Sequence, residues 1–184
     1  MRDMTMFPLR AGRVHEVCGP SAIGFAAVAA AQTASGVLYI RERWHTEQIH
    51  PSGLGAILPP ERVLLARPAN HTDALAVAEE ALKDGVLPFV IIGISQPLNL
   101  REGRRLQLAA KAGGTTGLCL IAQNMGSNAA ETRWRASPVF DRAYADSTLM
   151  RWEIIKNKSG TNGAWHVRWD AERHCMHVVC PAPE

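Results

Sequence analysis

Arg13-Val-His-Glu-Val-Cys-Gly-Pro-Ser-Ala-Ile-Gly-Phe-Ala26 decides how the rest of the chain is read. Residues 13–18 have the pattern of a strand, and Gly19-Pro20 turns the chain. Ser21 stands where a helix N-cap belongs, and the Ala-rich run to Thr33, with Phe25 and Val28, suits a buried helix. Such a strand–turn–helix junction is where α/β folds hold phosphates, because backbone N–H groups and the helix dipole converge there. Gly19 and Gly24 have the spacing of a phosphate-binding loop, but that loop continues with Lys and a hydroxyl residue. Here Phe25 and Ala26 stand in their place.

Outward from this stretch the alternation continues. Residues 37–40 and 62–66 read as short apolar strands, with one or two helical turns at 51–58 between them. Residues 72–84 form an amphipathic helix, with Asn70 or Thr72 as cap, Leu75, Ala78 and Leu82 on one face, and Gly85 as its stop. Residues 89–92 are a continuous apolar run, the mark of a strand buried on both faces. A helix at 100–112 turns Leu106, Ala109 and Ala110 inward and Arg101, Arg104, Arg105 and Lys111 outward, and a strand at 116–121 follows. Strands alternating with helices predict an α/β fold: a mainly parallel sheet flanked by helices. Residues 124–150 are polar and irregular apart from a short strand at 132–135. Two strands at 151–156 and 165–169 then flank an Asn-Gly turn, an antiparallel C-terminal hairpin with Trp165, Val167 and Trp169 on one face.

Composition narrows the class. At 184 residues, 47% apolar and 20% charged, the chain has material for a core and too little charge for disorder. Its longest apolar stretch, residues 22–31, is about half the length a membrane span needs. Residues 1–10 lack a secretion signal's pattern, so a cytoplasmic protein with no membrane partner is expected. One domain over residues 12–180 is expected, preceded by an N-terminal extension over 1–11. The four cysteines read as reduced core residues, and the compact group His174, Cys175, His177 and Cys180 does not suit zinc, so no metal is expected. Net charge is −1 over residues 1–100 and +4 over 101–184, where four of the five tryptophans also lie.

The order of these segments resembles RecA-type recombinases. Val14-His-Glu-Val-Cys-Gly-Pro-Ser-Ala-Ile-Gly24 is similar to their first strand and P-loop, and residues 73–85 running into Val90-Ile-Ile-Gly-Ile-Ser95 to their helix and Walker B strand. Leu120-Ile-Ala-Gln123 resembles the strand whose Gln senses a γ-phosphate, and Ile154-Ile-Lys-Asn-Lys158 the strand whose lysines reach a neighbouring subunit's nucleotide. Together with Arg104-Arg-Leu-Gln-Leu-Ala-Ala110, Thr132-Arg-Trp-Arg135 and Trp165-His-Val-Arg-Trp-Asp170, the chain resembles the ImuA family over roughly residues 12–170. These are bacterial RecA-like proteins linked to damage-induced mutagenesis, some labelled SulA-like. The resemblance implies a RecA-like P-loop core. It also implies three partners: an ImuB-like Y-family protein, an error-prone C-family DNA polymerase and RecA. With few residues before the first strand and few after the hairpin, RecA's docking helix and a longer ImuA C-terminus are not expected, so a standalone filament is doubtful.

The departures from that pattern set the expected mechanism. Gly93 matches the Walker B Asp, which leaves Mg²⁺ without that support as well. Phosphoryl transfer relies on charge neutralisation by the loop Lys and Mg²⁺. A degenerate nucleotide loop (Gly19, Gly24, Phe25, Ala26, Gly93, Gln123), no cofactor and no catalysis are therefore expected, with Phe25 projecting its ring where phosphate oxygens would sit. A divergent ATPase using Glu42, Lys156 or Lys158, or a SulA-like cell-division inhibitor, are the alternatives. Lys156 and Lys158 on an exposed edge, with Trp165, Arg168 and Trp169, form the candidate partner interface. Arg133, Trp134 and Arg135 are the candidate contact for weak binding of single-stranded DNA. The competing and favoured role of the tryptophans is to bury the hairpin against the sheet.

Overall fold

Among the described residues nine strands form one sheet, and burial matches the places of its central and edge strands. The computed structural model describes Met4 and residues 7–142 and 148–181. Residues 1–3, 5 and 6 of the expected N-terminal extension, and 143–147 of the expected irregular segment, lie outside the described residues. The elements in chain order are β1 (Val14–Cys18), α1 (Ala22–Ala31), β2 (Val37–Ile40), α2 (Pro51–Gly55), β3 (Val63–Ala66), α3 (His71–Asp84) and β4 (Phe89–Gly93). They continue with α4 (Leu100–Gly113), β5 (Thr116–Leu120), β6 (Thr132–Pro138), β7 (Met150–Asn157), β8 (Gly163–Asp170) and β9 (Cys175–Pro181).

The sheet order is β3-β2-β4-β5-β1-β6-β7-β8-β9. Pairings from β3 to β6 are parallel, and those from β6 to β9 antiparallel. β1 is buried at all five positions and sits mid-sheet. β3, whose Leu64 and Leu65 are exposed, lies at an edge. The expected α/β class is therefore correct: a mainly parallel sheet with helices on its faces and an antiparallel C-terminal part. That part is a meander rather than a hairpin, because β9 pairs along β8. Its turn is set by Asp170, whose carboxylate accepts the N–H groups of Glu172 and Arg173, and by His174 at φ 49°.

Helix ends follow local chemistry. Asn70 caps α3 by accepting from the Asp73 N–H, and Gly85 ends it at φ 75°. Asn99 and Glu102 make a reciprocal capping box on α4, so its start is fixed independently of packing. One face of the sheet holds α1 and the α2 segment over Val17, Leu118, Trp134, Trp152, Trp165 and Trp169. The other holds α3 and α4 over Val14, Ile40, Val90, Ile92 and Cys119. Cys18 and Cys119 are buried free thiols, and burial pushes both up. Among the described residues, no helix is long and apolar enough to cross a membrane.

Candidate functional site

The β1–α1 turn is where a nucleotide would bind, and part of its backbone is already bonded within the protein. Gly19 adopts φ +101°, and a Cβ there would lie 2.4 Å from the Ala136 carbonyl oxygen of β6, so only glycine fits. The Ser21 N–H donates to that same oxygen (3.1 Å), the Ala22 N–H to Gly19 O, and the Phe25 N–H to Ser21 O (2.9 Å). Helix α1 already begins at Ala22, two residues before Gly24. The Ser21 and Ala22 N–H groups, two of the donors a helix start leaves free, are thus bonded within the protein, and the Phe25 N–H makes the first regular bond of α1. Ser21 holds the N-cap position but makes no side-chain cap bond. Gly24 serves a close approach instead, since a Cβ there would meet Met150 Sδ at 3.3 Å.

Phe25 corrects one expectation. Its ring does not project toward a phosphate position. It is fully buried against Trp152 (centroids 4.4 Å apart), Trp134 (5.3 Å) and Phe7 (6.1 Å). An aromatic side chain gains more from that cluster than from solvent at the sheet edge. Ala26 is buried beside it.

At the ends of β2, β4 and β5, carboxylate chemistry is also absorbed internally. Glu42 is buried and accepts hydrogen bonds from Ser95 Oγ and from Trp44 Nε1 (2.8 Å). Burial pushes its carboxyl up, but the Ser95 and Trp44 bonds together with His71 and His45 outweigh this and leave it below its ordinary value. A carboxylate held that way is a poor proton acceptor at neutral pH. Gly93 is packed closely, with a Cβ position 3.3 Å from Ile40 O, and Gln123 is exposed with no partner among the described residues.

The lysines are a second correction. Lys156 is half-buried and Lys158 exposed, both beyond the last β7–β8 pair at Ile154, but their ammonium groups turn back onto residues 127–130 rather than standing free. The Lys156 ammonium donates to the carbonyls of Ser127 (3.0 Å), Asn128 (2.9 Å) and Ala130 (3.0 Å), and Lys158 donates to Ala129 (2.6 Å). Beside them the buried Glu16 carboxylate accepts from Ser127 N–H and Arg133 Nε, both at 2.7 Å, and Arg133 also donates to Ser127 O. Together these side chains pin residues 127–130. Sequence alone missed Glu16; a lone acidic residue inside an apolar strand was the available signal.

The remaining candidates also turn inward. Arg133, Trp134 and Arg135 alternate across β6: Trp134 is fully buried, donating to Thr132 Oγ1 (2.9 Å), while Arg133 pairs with Glu16 and Arg135 with Glu153. Trp134 thus offers no face for a base to stack on. Trp165 and Trp169 are 6% and 5% exposed, and Trp169 Nε1 donates to Ala56 O, tying down the segment after α2. Arg168 pairs with Asp141. These tryptophans line the face of the sheet that α1 and the segment after α2 cover, rather than forming an outer surface. Cys175 Sγ lies 3.2 Å from His177 Nε2, and no metal-holding group occurs among the described residues; the Cys180 side chain lies outside them.

No family model matches the chain. It is 26% identical over 143 residues to Protein ImuA in each of two strains of Caulobacter vibrioides, covering 69% of this chain and 58% of the relative. The chain thus spans little more than half the length of the curated relatives it matches. The crystal structure of the RadB recombinase is similar with a TM-score of 0.66 at 15% identity, covering 92% of both chains. That likeness shows the fold, and the resemblance to ImuA read from the sequence is borne out.

Proposed function

We propose, from its kinship with ImuA, that the chain is a non-catalytic RecA-like accessory protein of an error-prone translesion synthesis complex. It binds proteins rather than turning over nucleotide. The observation that supports this reading is the β1–α1 turn, which has Phe25 in the core where a phosphate-binding loop has Lys and its Ser21 and Ala22 N–H groups bonded within the protein. The ImuB-like Y-family protein, the error-prone C-family DNA polymerase and RecA are the proposed partners. A divergent ATPase would need a free general base, and Glu42 is already bound by Ser95 and Trp44.

Isothermal calorimetry with Mg²⁺-ATP tests the first half. No binding heat and no phosphate release are expected. A micromolar dissociation constant, with turnover abolished by Glu42→Gln, would establish the ATPase instead. Pull-down with purified ImuB-like protein, polymerase and RecA tests the second half, and capture of none of the three would refute the accessory role.

A further inference from the structure

Between α4 and the pinned segment 127–130 runs a groove of about 600 Å³, counting its open side. One wall is the i, i+4, i+8 ridge of α4: Leu100 and Leu108, 49% and 67% exposed, with Arg104 between them. The other wall is Asn128 and Lys158. This ridge is apolar at both ends and cationic in the middle. The Arg104 guanidinium has no partner among the described residues, and no acidic side chain lines the groove. Its far wall is held rigid, because Gln107 donates to Ala129 O (3.1 Å) and Lys156 holds three carbonyls of the same segment. A surface fixed before binding loses little entropy when a partner docks.

We propose that this groove docks an acidic amphipathic helix of a partner protein. The inference rests on the accessory-protein reading above and names the chemistry of the partner surface. Carboxylates on the incoming helix meet Arg104 and Lys158, and its apolar side chains cover Leu100 and Leu108, which lie about 12 Å apart along α4. Charge complementarity selects the sign of the partner, and the two leucines supply the desolvated anchors. A nucleic acid fits less well, because the groove offers no aromatic side chain for stacking and sets leucines where a phosphate chain would need cations.

The probe is a fluorescein-labelled 18-residue synthetic helix with leucines on one face and glutamates beside them, titrated into the full chain at 0.1 M salt. Binding is expected, with amide shifts confined to residues 100–108, 128–130 and 158. Arg104→Glu should weaken it at least tenfold and Leu108→Ala several-fold, both with unchanged thermal unfolding. A peptide with lysines in place of the glutamates should not bind. The proposal is overturned by no peptide binding, by shifts elsewhere, by undiminished affinity in folded Arg104→Glu, or by preferential binding of a twenty-residue oligo-dT to the same residues. Pull-down separates this from the functional reading. If wild type and Arg104→Glu capture the ImuB-like protein, the polymerase and RecA equally, the groove proposal fails and the accessory role stands. If the peptide maps to the groove while wild type captures none of the three proposed partners, the accessory role fails and the groove stands.

Discussion

Phe25 occupies the position from which a lysine would neutralise phosphate, yet its ring helps to organise the aromatic core. Restoring lysine should therefore unfold the protein rather than revive a nucleotide site. Phe25→Lys removes a buried ring, a change worth about 3–5 kcal/mol for Phe→Ala, and leaves a charge among tryptophans. We predict a loss of at least about 3 kcal/mol in urea denaturation and no ATP binding; a stable variant that binds ATP would show that the turn can open. His15 makes a second residue-scale prediction. It is fully buried, and its Nε2–H donates to Arg10 O, so Nδ1 accepts from Thr132 Oγ1 at 2.7 Å. Burial lowers its pKa below 6.5, partly opposed by the Arg10 carbonyl and Glu131, while Arg13 and Arg10 act with burial. The unfolded chain protonates His15 first as pH falls below 6.5, so stability contributed above that value is lost through the window down to the folded pKa. His15→Gln should flatten this part of the stability–pH curve relative to wild type, and parallel curves would exclude His15 as the source.

At the scale of elements, β6 and β7 explain why the lysines were misplaced. Met150, Trp152 and Ile154 face the tryptophan side, and strict alternation would send Lys156 there too. The register shifts between Arg133 and Trp134: Ile154 lies opposite Trp134, while Lys156 lies opposite Arg133. Ile155 is the extra residue, and such a bulge re-aims the side chain that follows it. No pattern of residue types signals that shift, which depends on pairing with a strand far away in sequence. The helices and parallel strands were legible because caps, glycine stops and apolar runs are local, and so was the missing Lys and hydroxyl in the turn. The tryptophan side of β8 was legible too, since Trp165, Val167 and Trp169 alternate cleanly. What escaped were long-range bonds: Glu16 to Ser127, Lys156 to its carbonyls, Ser95 to Glu42. The bulge carries a prediction. Lys156→Ala should cost about 1.5–3 kcal/mol, the range for hydrogen bonds to a charged group. Amide exchange should rise at residues 127–131, whereas exposed lysines elsewhere, such as Lys111, should show neither effect. Unchanged stability and exchange in Lys156→Ala would mean the carbonyl contacts are incidental.

Across the whole molecule, the basic half of the chain spends much of its charge on itself. Arg133 is paired with Glu16, Arg135 with Glu153 and Arg168 with Asp141, and both lysines of β7 and its following turn hold backbone carbonyls. The tryptophans of that half are inside, so an excess of +4 over residues 101–184 does not amount to a stacking and phosphate-binding surface. Among the described residues of that half, the cations without a partner lie mainly on α4, where Arg101, Arg104 and Lys111 are exposed. Single-stranded DNA should consequently bind weakly and without sequence preference. With about three phosphates engaged, raising salt from 50 to 200 mM should reduce affinity about twentyfold, because log K falls by roughly 0.7 per contact per decade. Fluorescence anisotropy with labelled oligo-dT reads this slope directly. Trp134→Ala separates the structural role of the tryptophan from a stacking role. Removing a fully buried indole should lower stability by about 3–5 kcal/mol while leaving DNA affinity unchanged, measured where the variant remains folded. Arg104→Glu should do the reverse, lowering affinity and the salt slope by about one contact with no loss of stability. Tight binding that persists at 200 mM salt and falls in folded Trp134→Ala would require the meander to open on DNA, exposing the ring that the folded chain keeps against Phe25.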